Sequence, residues 1–127
     1  MKVPNDLLYS NDHEWVKIDG NKAYIGITDF AQHHMGDIVY VELPEVGAVL
    51  EESGIAGTVE SFKSTSDVLS PVAGTVLEVN NELTSNPALI NEDPYKNWIA
   101  VLEVSEYVNL GNLMNAAEYE SFCAKEE

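Results

Sequence analysis

A lysine stands alone in the middle of this chain. Between Lys22 and Lys96 there are twelve acidic residues and one basic residue, Lys63. It sits in Glu60-Ser61-Phe62-Lys63-Ser64-Thr65-Ser66-Asp67, between two runs of β-type composition. Strand, turn, strand puts its amine at or near a hairpin tip. Two readings fit. Hairpin tips are solvated and commonly carry lysine. The same placement also presents an amine for covalent modification, because paired strands hold the backbone while the side chain projects. Acylation would remove the charge and hang a group on a long, flexible stem. Glu60 and Asp67 flank the lysine nearly symmetrically. They either mark the tip for a modifying enzyme or form its solvated rim.

Other reactive residue types are sparse. His13, His33 and His34 are the only histidines. His33 and His34 are neighbours on an expected helix, so they point about 100° apart. With no Cys or His at ligand spacing nearby, a structural role is favoured over a metal site. Cys123 falls on the inner face of an expected helix with no histidine placed to activate it, which favours a core thiol over a nucleophile. There is no phosphate-binding glycine loop and no nucleophile elbow. A hydrolase built on paired carboxylates lacks a nucleophile–base pair.

Composition narrows the partners. The 127 residues carry 22 acidic and 6 basic side chains, a formal net charge of -16, and all six basic residues are lysines. Such a surface repels nucleic acid and anionic membranes. It suits brief, salt-sensitive docking on the basic rims of larger enzymes. The lone cysteine excludes an internal disulfide framework and fits a reducing compartment. The longest apolar run, Trp98 to Leu102, is far too short to span a membrane. The N-terminus has neither the apolar stretch of a secretion signal nor a basic transit pattern. The expectation is one soluble, intracellular domain over residues 1–127, a monomer.

The elements that must position Lys63 are mostly strands. Glu14 to Ile18 and Lys22 to Ile27 flank Asp19-Gly20-Asn21, a hairpin signal. Thr28 or Asp29 is expected to cap a short helix, with Gln32 as the return half of a capping box and Gly36 as its stop. Phe30, Ala31, His34 and Met35 give it an apolar side. Strands follow at Asp37–Leu43, near Val49-Leu50, at Ile55–Phe62, from Val68, at Thr75–Val79 and at Trp98–Val104. Lys63 to Ser66 reads as a turn. Residues 80–97, broken by Pro87 and Pro94, read as an irregular loop pinned by Leu89 and Ile90. Leu110, Leu113 and Met114 have helical spacing. Asn115 and Glu118 open a final helix whose inner face is Tyr119, Phe122 and Cys123. Residues 124–127 are expected to fray. The expected core is Trp15, Ile25, Ile27, Val39, Val41, Val59, Val76, Val79, Trp98, Val101 and Tyr119.

A faint internal repeat runs through this pattern. Gly36 to Val41 resembles Gly74 to Val79, and Ile55 to Glu60 can be laid against Ile99 to Val104. It suggests two related half-sheets, with Lys63 near the passage from one half to the other.

Together, these motifs resemble one family. Glu60 to Asp67 resembles the lipoyl-lysine motif of the glycine cleavage system H proteins. Tyr9-Ser10 with His13-Glu14-Trp15, and Gly26-Ile27-Thr28 leading into Ala31-Gln32, are similar to the family's N-terminal block. Gly36-Asp37-Ile38-Val39, Leu43 to Gly47, Ser70 to Gly74, Val79-Asn80, Leu89-Ile90-Asn91, Asp93-Pro94-Tyr95, Trp98 and Ala116 to Phe122 continue the likeness in order. Phe62 stands where the family more often has a smaller aliphatic residue, Ser64 where it often has alanine, and Lys96-Asn97 replace a usual glycine.

The resemblance implies a mainly β protein of the barrel-sandwich (lipoyl- and biotinyl-carrier) type, with short helices after the first hairpin and at the C-terminus. It implies lipoic acid in amide linkage on Lys63 and a shuttle rather than a catalyst. The implied partners are glycine decarboxylase (P protein), which loads an aminomethyl group, and aminomethyltransferase (T protein), which passes the carbon to tetrahydrofolate. Dihydrolipoamide dehydrogenase (L protein) reoxidises the arm, and a lipoylating enzyme attaches it. The implied compartment is bacterial or archaeal cytoplasm, or the mitochondrial matrix for a processed eukaryotic form. By resemblance Glu14 and Asp67, with Asp12 as a third, line the cleft that holds the loaded arm's amine. Two variants of this reading keep a carrier: a lipoyl donor to other complexes, and a biotinyl domain. The second fits poorly, because biotin sites usually place methionine on both sides of the lysine.

Overall fold

The computed structural model describes residues 1–126. Strand β1 (Leu8–Tyr9) leads into the first hairpin, β2 (Glu14–Asp19) and β3 (Lys22–Ile27). Asp19 faces Lys22 across a two-residue turn, and Gly20 takes the positive φ of 62° that such a turn needs. Helix α1 (Asp29–Met35) follows. Thr28 caps it, its hydroxyl accepting from the Ala31 N–H at 3.2 Å. Gln32 donates to the Asp29 carboxylate rather than completing a capping box. Then come β4 (Ile38–Glu42), β5 (Val49–Leu50), β6 (Ile55–Ser61), β7 (Thr65–Leu69) and β8 (Gly74–Val79). Two one-turn helices, α2 (Glu82–Ser85) and α3 (Leu89–Glu92), precede β9 (Ala100–Glu103) and the last helix α4 (Ala116–Glu126).

The strands form two sheets, one of six in the order β1-β2-β3-β9-β8-β5 and one of three in the order β4-β6-β7. All pairings are antiparallel. This is the expected mainly β, barrel-sandwich architecture. The main core draws on both sheets, with Val16, Ile25 and Leu102 from one and Ile38, Val41, Val59 and Val68 from the other. A second cluster covers the opposite face of the larger sheet, where Tyr9, Trp15, Phe30 and Tyr119 pack under α4. Trp15 pairs with Gly26 and lies flat across it: a Cβ there would stand 2.8 Å from the indole. Gly26→Ala therefore overpacks this cluster and costs about 2 kcal/mol. Thermal denaturation followed by circular dichroism should show a melting point lower by about 8 °C.

The internal repeat is present in three dimensions, with one correction. β4 pairs with β6 through a one-residue irregularity after Ile38, and β8 pairs with β9 through the same irregularity after Val76. Ile38 and Val76 are the residues the sequence repeat aligns. Ile38 faces Ser61 and Val76 faces Leu102, so Leu102 corresponds to Ser61 and not to Thr58, three residues earlier.

The same bulges correct the expected core. A bulge puts two consecutive side chains on one side of a strand. Val39 and Tyr40 are each 45% exposed as a result, and Val39 is not a core residue. Val79 and Trp98 are half-buried, while the other eight expected core residues are buried. The stretch 80–97 is more regular than expected. α2 buries Leu83 and α3 buries Ile90, so the segment is a packed cover for the core. Leu110, Leu113 and Met114 form no helix. Met114 instead exchanges backbone hydrogen bonds with Tyr9, at 2.8 and 2.7 Å. Thr65 and Ser66 belong to β7 rather than to the turn. α4 opens as expected on a reciprocal box, Asn115 and Glu118 each accepting from the other's N–H at 2.9 Å. It does not fray at Ala124 but runs to Glu126; Glu127 lies outside the described residues.

Candidate lipoyl-arm site

The β6–β7 hairpin closes on a two-residue turn. Glu60 faces Thr65, and the Ser61 N–H donates to the Ser64 carbonyl at 2.8 Å. The Ser64 N–H returns to the Ser61 hydroxyl at 3.2 Å. Phe62 and Lys63 are left as the two central residues, both exposed. The lysine stem leans toward α1. A methyl group at Gly36 would lie 3.6 Å from Lys63 Cε and 4.0 Å from Nζ. Gly36, at φ 78°, ends α1 and donates its N–H to the Gln32 carbonyl at 3.0 Å. Glycine is called for here by the positive φ that stops the helix, and the lysine stem passes it at ordinary contact distance.

Beside Gly36 a cleft of about 220 Å³ opens between the hairpin and α1. Val59 and Val68 line one wall, Phe30, Ala31 and Met35 the other, and Ile27 also lines it. Ser66 and Asp67 stand on the hairpin side, and Asp12, His13, Glu14, His34 and Glu126 complete the lining. An aliphatic arm with a polar cargo matches this division of apolar wall and acidic end.

Glu14 is the unusual member, 3% exposed at the start of β2. Its Oε1 accepts from the Ser10 hydroxyl at 2.8 Å and its Oε2 from the Leu69 N–H at 3.2 Å. Ser10 is itself buried, and its hydroxyl oxygen accepts from the Glu14 and Asp12 N–H groups. Burial pushes the Glu14 carboxyl up to about 8. The two donors pull the other way, and the nearby Asp12 charge adds to the rise. Among the described residues no lysine or histidine lies within ion-pair distance of it; His13 contacts Glu126 instead.

Asp12 and Asp67 are exposed and stand at the rim. The register places Asp67 opposite Thr58 and Glu60 opposite Thr65, so both carboxylates project from the outer face of the three-stranded sheet. Each meets the threonine opposite it at 3.4 Å. The structure thus gathers Glu14, Asp67 and Asp12 about the cleft and leaves Glu60 outside it. Glu60 and Asp67 flank Lys63 on one face.

Sequence reasoning missed the groups that brace this cleft. His13 sits at φ 65° and stacks on Phe30 at 4.4 Å, while His34 stacks on Phe30 at 4.1 Å. His13 Nδ1 contacts the Tyr119 hydroxyl at 2.7 Å, and that hydroxyl contacts Thr28 Oγ1 at 2.6 Å. His13 Nε2 meets Glu126 at 2.8 Å. α4 is thereby tied to the N-terminus of α1 across more than ninety residues of sequence. Local spacing carries no signal for such a contact. Burial raises the Tyr119 hydroxyl well above its usual range, so it stays protonated and able to donate. Among the described residues no His, Cys, Asp or Glu cluster has the makings of a metal site, and no helix is long and apolar enough to cross a membrane.

Comparison with known proteins settles the family. The profile of the family described as "Glycine cleavage H-protein" matches residues 7–126. This chain belongs to that family. The family is the lipoyl-carrying component of the glycine cleavage system. A glycine cleavage system H protein from Thermoanaerobacter sp. (strain X514) is 56% identical over 126 residues, 99% of this chain and all of the relative. Glycine cleavage system H protein 2, mitochondrial, of Arabidopsis thaliana is 52% identical, covering 98% of this chain and 81% of the relative. The crystal structure of the family member from Mycobacterium marinum superposes with a TM-score of 0.88 at 36% identity, covering 96% and 99% of the two chains.

Proposed function

We propose that residues 1–127 form a single-domain, monomeric carrier whose arm is a lipoyl group in amide linkage on Lys63. The observation that carries this reading is the placement of Lys63. It is a central residue of a tight turn, with its stem passing Gly36 beside the cleft. The lipoyl group would supply a disulfide that takes up a one-carbon unit with two electrons, one sulfur bonding the carbon and the other becoming a thiol, and that is left as a dithiol once the carbon departs. The chain's own residues do the rest. The hairpin holds the root of the arm fixed, so that its reach is set by the stem and not by backbone motion. Val59, Val68, Phe30 and Met35 offer the arm an apolar wall away from water. Glu14, with Asp67 and Asp12 at the rim, accepts hydrogen bonds from a cationic amine at the arm's end.

In this role the chain catalyses no step. It takes an aminomethyl group from glycine decarboxylase to aminomethyltransferase and is reoxidised by dihydrolipoamide dehydrogenase. All of them work in bacterial or archaeal cytoplasm or in the mitochondrial matrix. Glu60 and Asp67 present the tip to the lipoylating enzyme.

Intact mass after growth with lipoate tests the attachment, and peptide mapping should place one lipoyl amide on Lys63. Loading Glu14→Ala and Asp67→Asn proteins and timing loss of the aminomethyl group tests the cleft. The expected lifetimes are shorter by about tenfold for Glu14→Ala, which removes a buried charged acceptor, and by less for the exposed Asp67. Lifetimes equal to wild type in both would remove the carboxylates from this account.

A further inference from the structure

The tip that carries Lys63 also carries an aromatic side chain with nothing against it. Phe62 is 86% exposed, the highest exposure among the large apolar residues described. It joins neither apolar cluster and makes no ring–ring contact. A phenylalanine left in water forgoes the favourable burial of its ring, which the fold does not recover. The neighbouring strand adds to the patch. The bulge in β4 turns Val39 and Tyr40 outward together, and β4 lies beside β6 with Ile38 facing Ser61, the residue before Phe62. Carboxylates edge this patch. Tyr40 faces Glu60, which faces Thr65, and Glu42 faces Thr58, which faces Asp67.

The chemistry at Lys63 selects the partner. In attachment, the lysine Nζ attacks the carbonyl carbon of a lipoyl group activated as an acyl adenylate. The C–N bond forms as the bond to the adenylate oxygen breaks, AMP leaves, and the Nζ proton passes to a base of the enzyme. That reaction brings the enzyme's active centre to the lysine Nζ itself, so its mouth closes over the turn and meets Phe62. Enzymes that act on the far end of the arm meet it a whole lipoyl chain further out. We propose that Phe62, with Val39 and Tyr40, is the docking anchor for the enzyme that attaches the lipoyl group, fitting an apolar slot beside an active-site mouth with a basic rim. The proposal rests on Lys63 as the attachment site. A buried aromatic anchor within a charged margin is the usual makeup of a binding hot spot.

The test uses the full-length unlipoylated chain, a purified lipoate-attaching ligase, lipoate and ATP, with product followed by intact mass. Phe62→Ser should raise KM for the carrier about tenfold or more and leave kcat within about twofold, and Phe62→Leu should restore most of the loss. The fully lipoylated Phe62→Ser protein, prepared with excess ligase, should be reduced and reoxidised by dihydrolipoamide dehydrogenase at the wild-type rate. An unchanged KM, a loss confined to kcat, or an equal loss with the dehydrogenase would each overturn the assignment. Lipoylation of a Lys63→Arg protein is a separate result, and it would overturn the attachment site itself.

Discussion

Lys63→Arg is expected to abolish glycine-dependent methylene transfer in a mixture reconstituted with the partner enzymes, with no lipoyl adduct in the intact mass. The substitution keeps the positive charge and a stem of similar length. It changes the nucleophile. A lysine ammonium can give up a proton to an enzyme's base and then attack an acyl carbon, whereas a guanidinium stays charged and delocalised and does not. Both central residues of the turn are exposed, and the turn is closed by Ser61 and Ser64, so the backbone has no reason to move. Stability should stay within about 0.5 kcal/mol of wild type. Lys96→Arg is the control. It is an exposed residue outside the hairpin and should transfer at the wild-type rate. Loss in both proteins would point to docking rather than to the nucleophile. Activity retained in Lys63→Arg would mean that the tether is elsewhere.

How much of this was legible beforehand depends on how far apart the interacting residues lie. The hairpins, the Thr28 cap and the Asn115–Glu118 box were readable because each is decided within a few residues. The lysine tip was readable for the same reason. Val39 was misplaced because alternation assumes an unbroken ladder, and a bulge is set by the partner strand. The repeat was visible in β4 and β8, whose bulges match. It was misaligned by three residues in β6 and β9, where short β-branched runs look alike in any register. Leu110 and Leu113 imitate a helix because both pack on the core from a loop, and burial alone produces the spacing. The bracing of the cleft was not legible at all. Ser10, His13, Thr28 and Tyr119 act through contacts that only the closed fold creates. Asp67 is less legible still: it stands at the rim of the cleft, but the register turns its carboxylate to the outer face of an edge strand, a direction that spacing alone does not give.

The largest stability effect belongs to Glu14. Its carboxyl titrates near 4.5 when solvated and is raised to about 8 by burial in the folded chain. Between these values the folded state binds a proton that the unfolded state has released. Unfolding then releases that proton, so stability falls as pH rises through this window. The contribution is whole below about pH 4.5 and is lost by about pH 8. Glu14→Gln removes the titration at the cost of one long contact. The amide oxygen can accept from the Leu69 N–H, and the Ser10 hydroxyl reverses its role, accepting from the amide nitrogen in place of the Asp12 N–H held at 3.3 Å. Denaturant melts at a series of pH values should therefore show the variant near wild type at pH 4 and more stable above pH 8. At 1.36 kcal/mol per pKa unit the gap is about 5 kcal/mol at most. Asp12, His13, His34, Asp67 and Glu126 also line the cleft and are the same in both proteins, so the difference between the two curves isolates Glu14. Curves that stay parallel across the window would show that Glu14 is ionised in the empty cleft. A cationic cargo reverses the preference, because its charge favours the ionised carboxylate. A buried acid held neutral in the empty cleft and ionised by the arriving amine would release one proton as the loaded arm docks. That release is measurable in a weakly buffered solution at pH 7, and Glu14→Gln should abolish it.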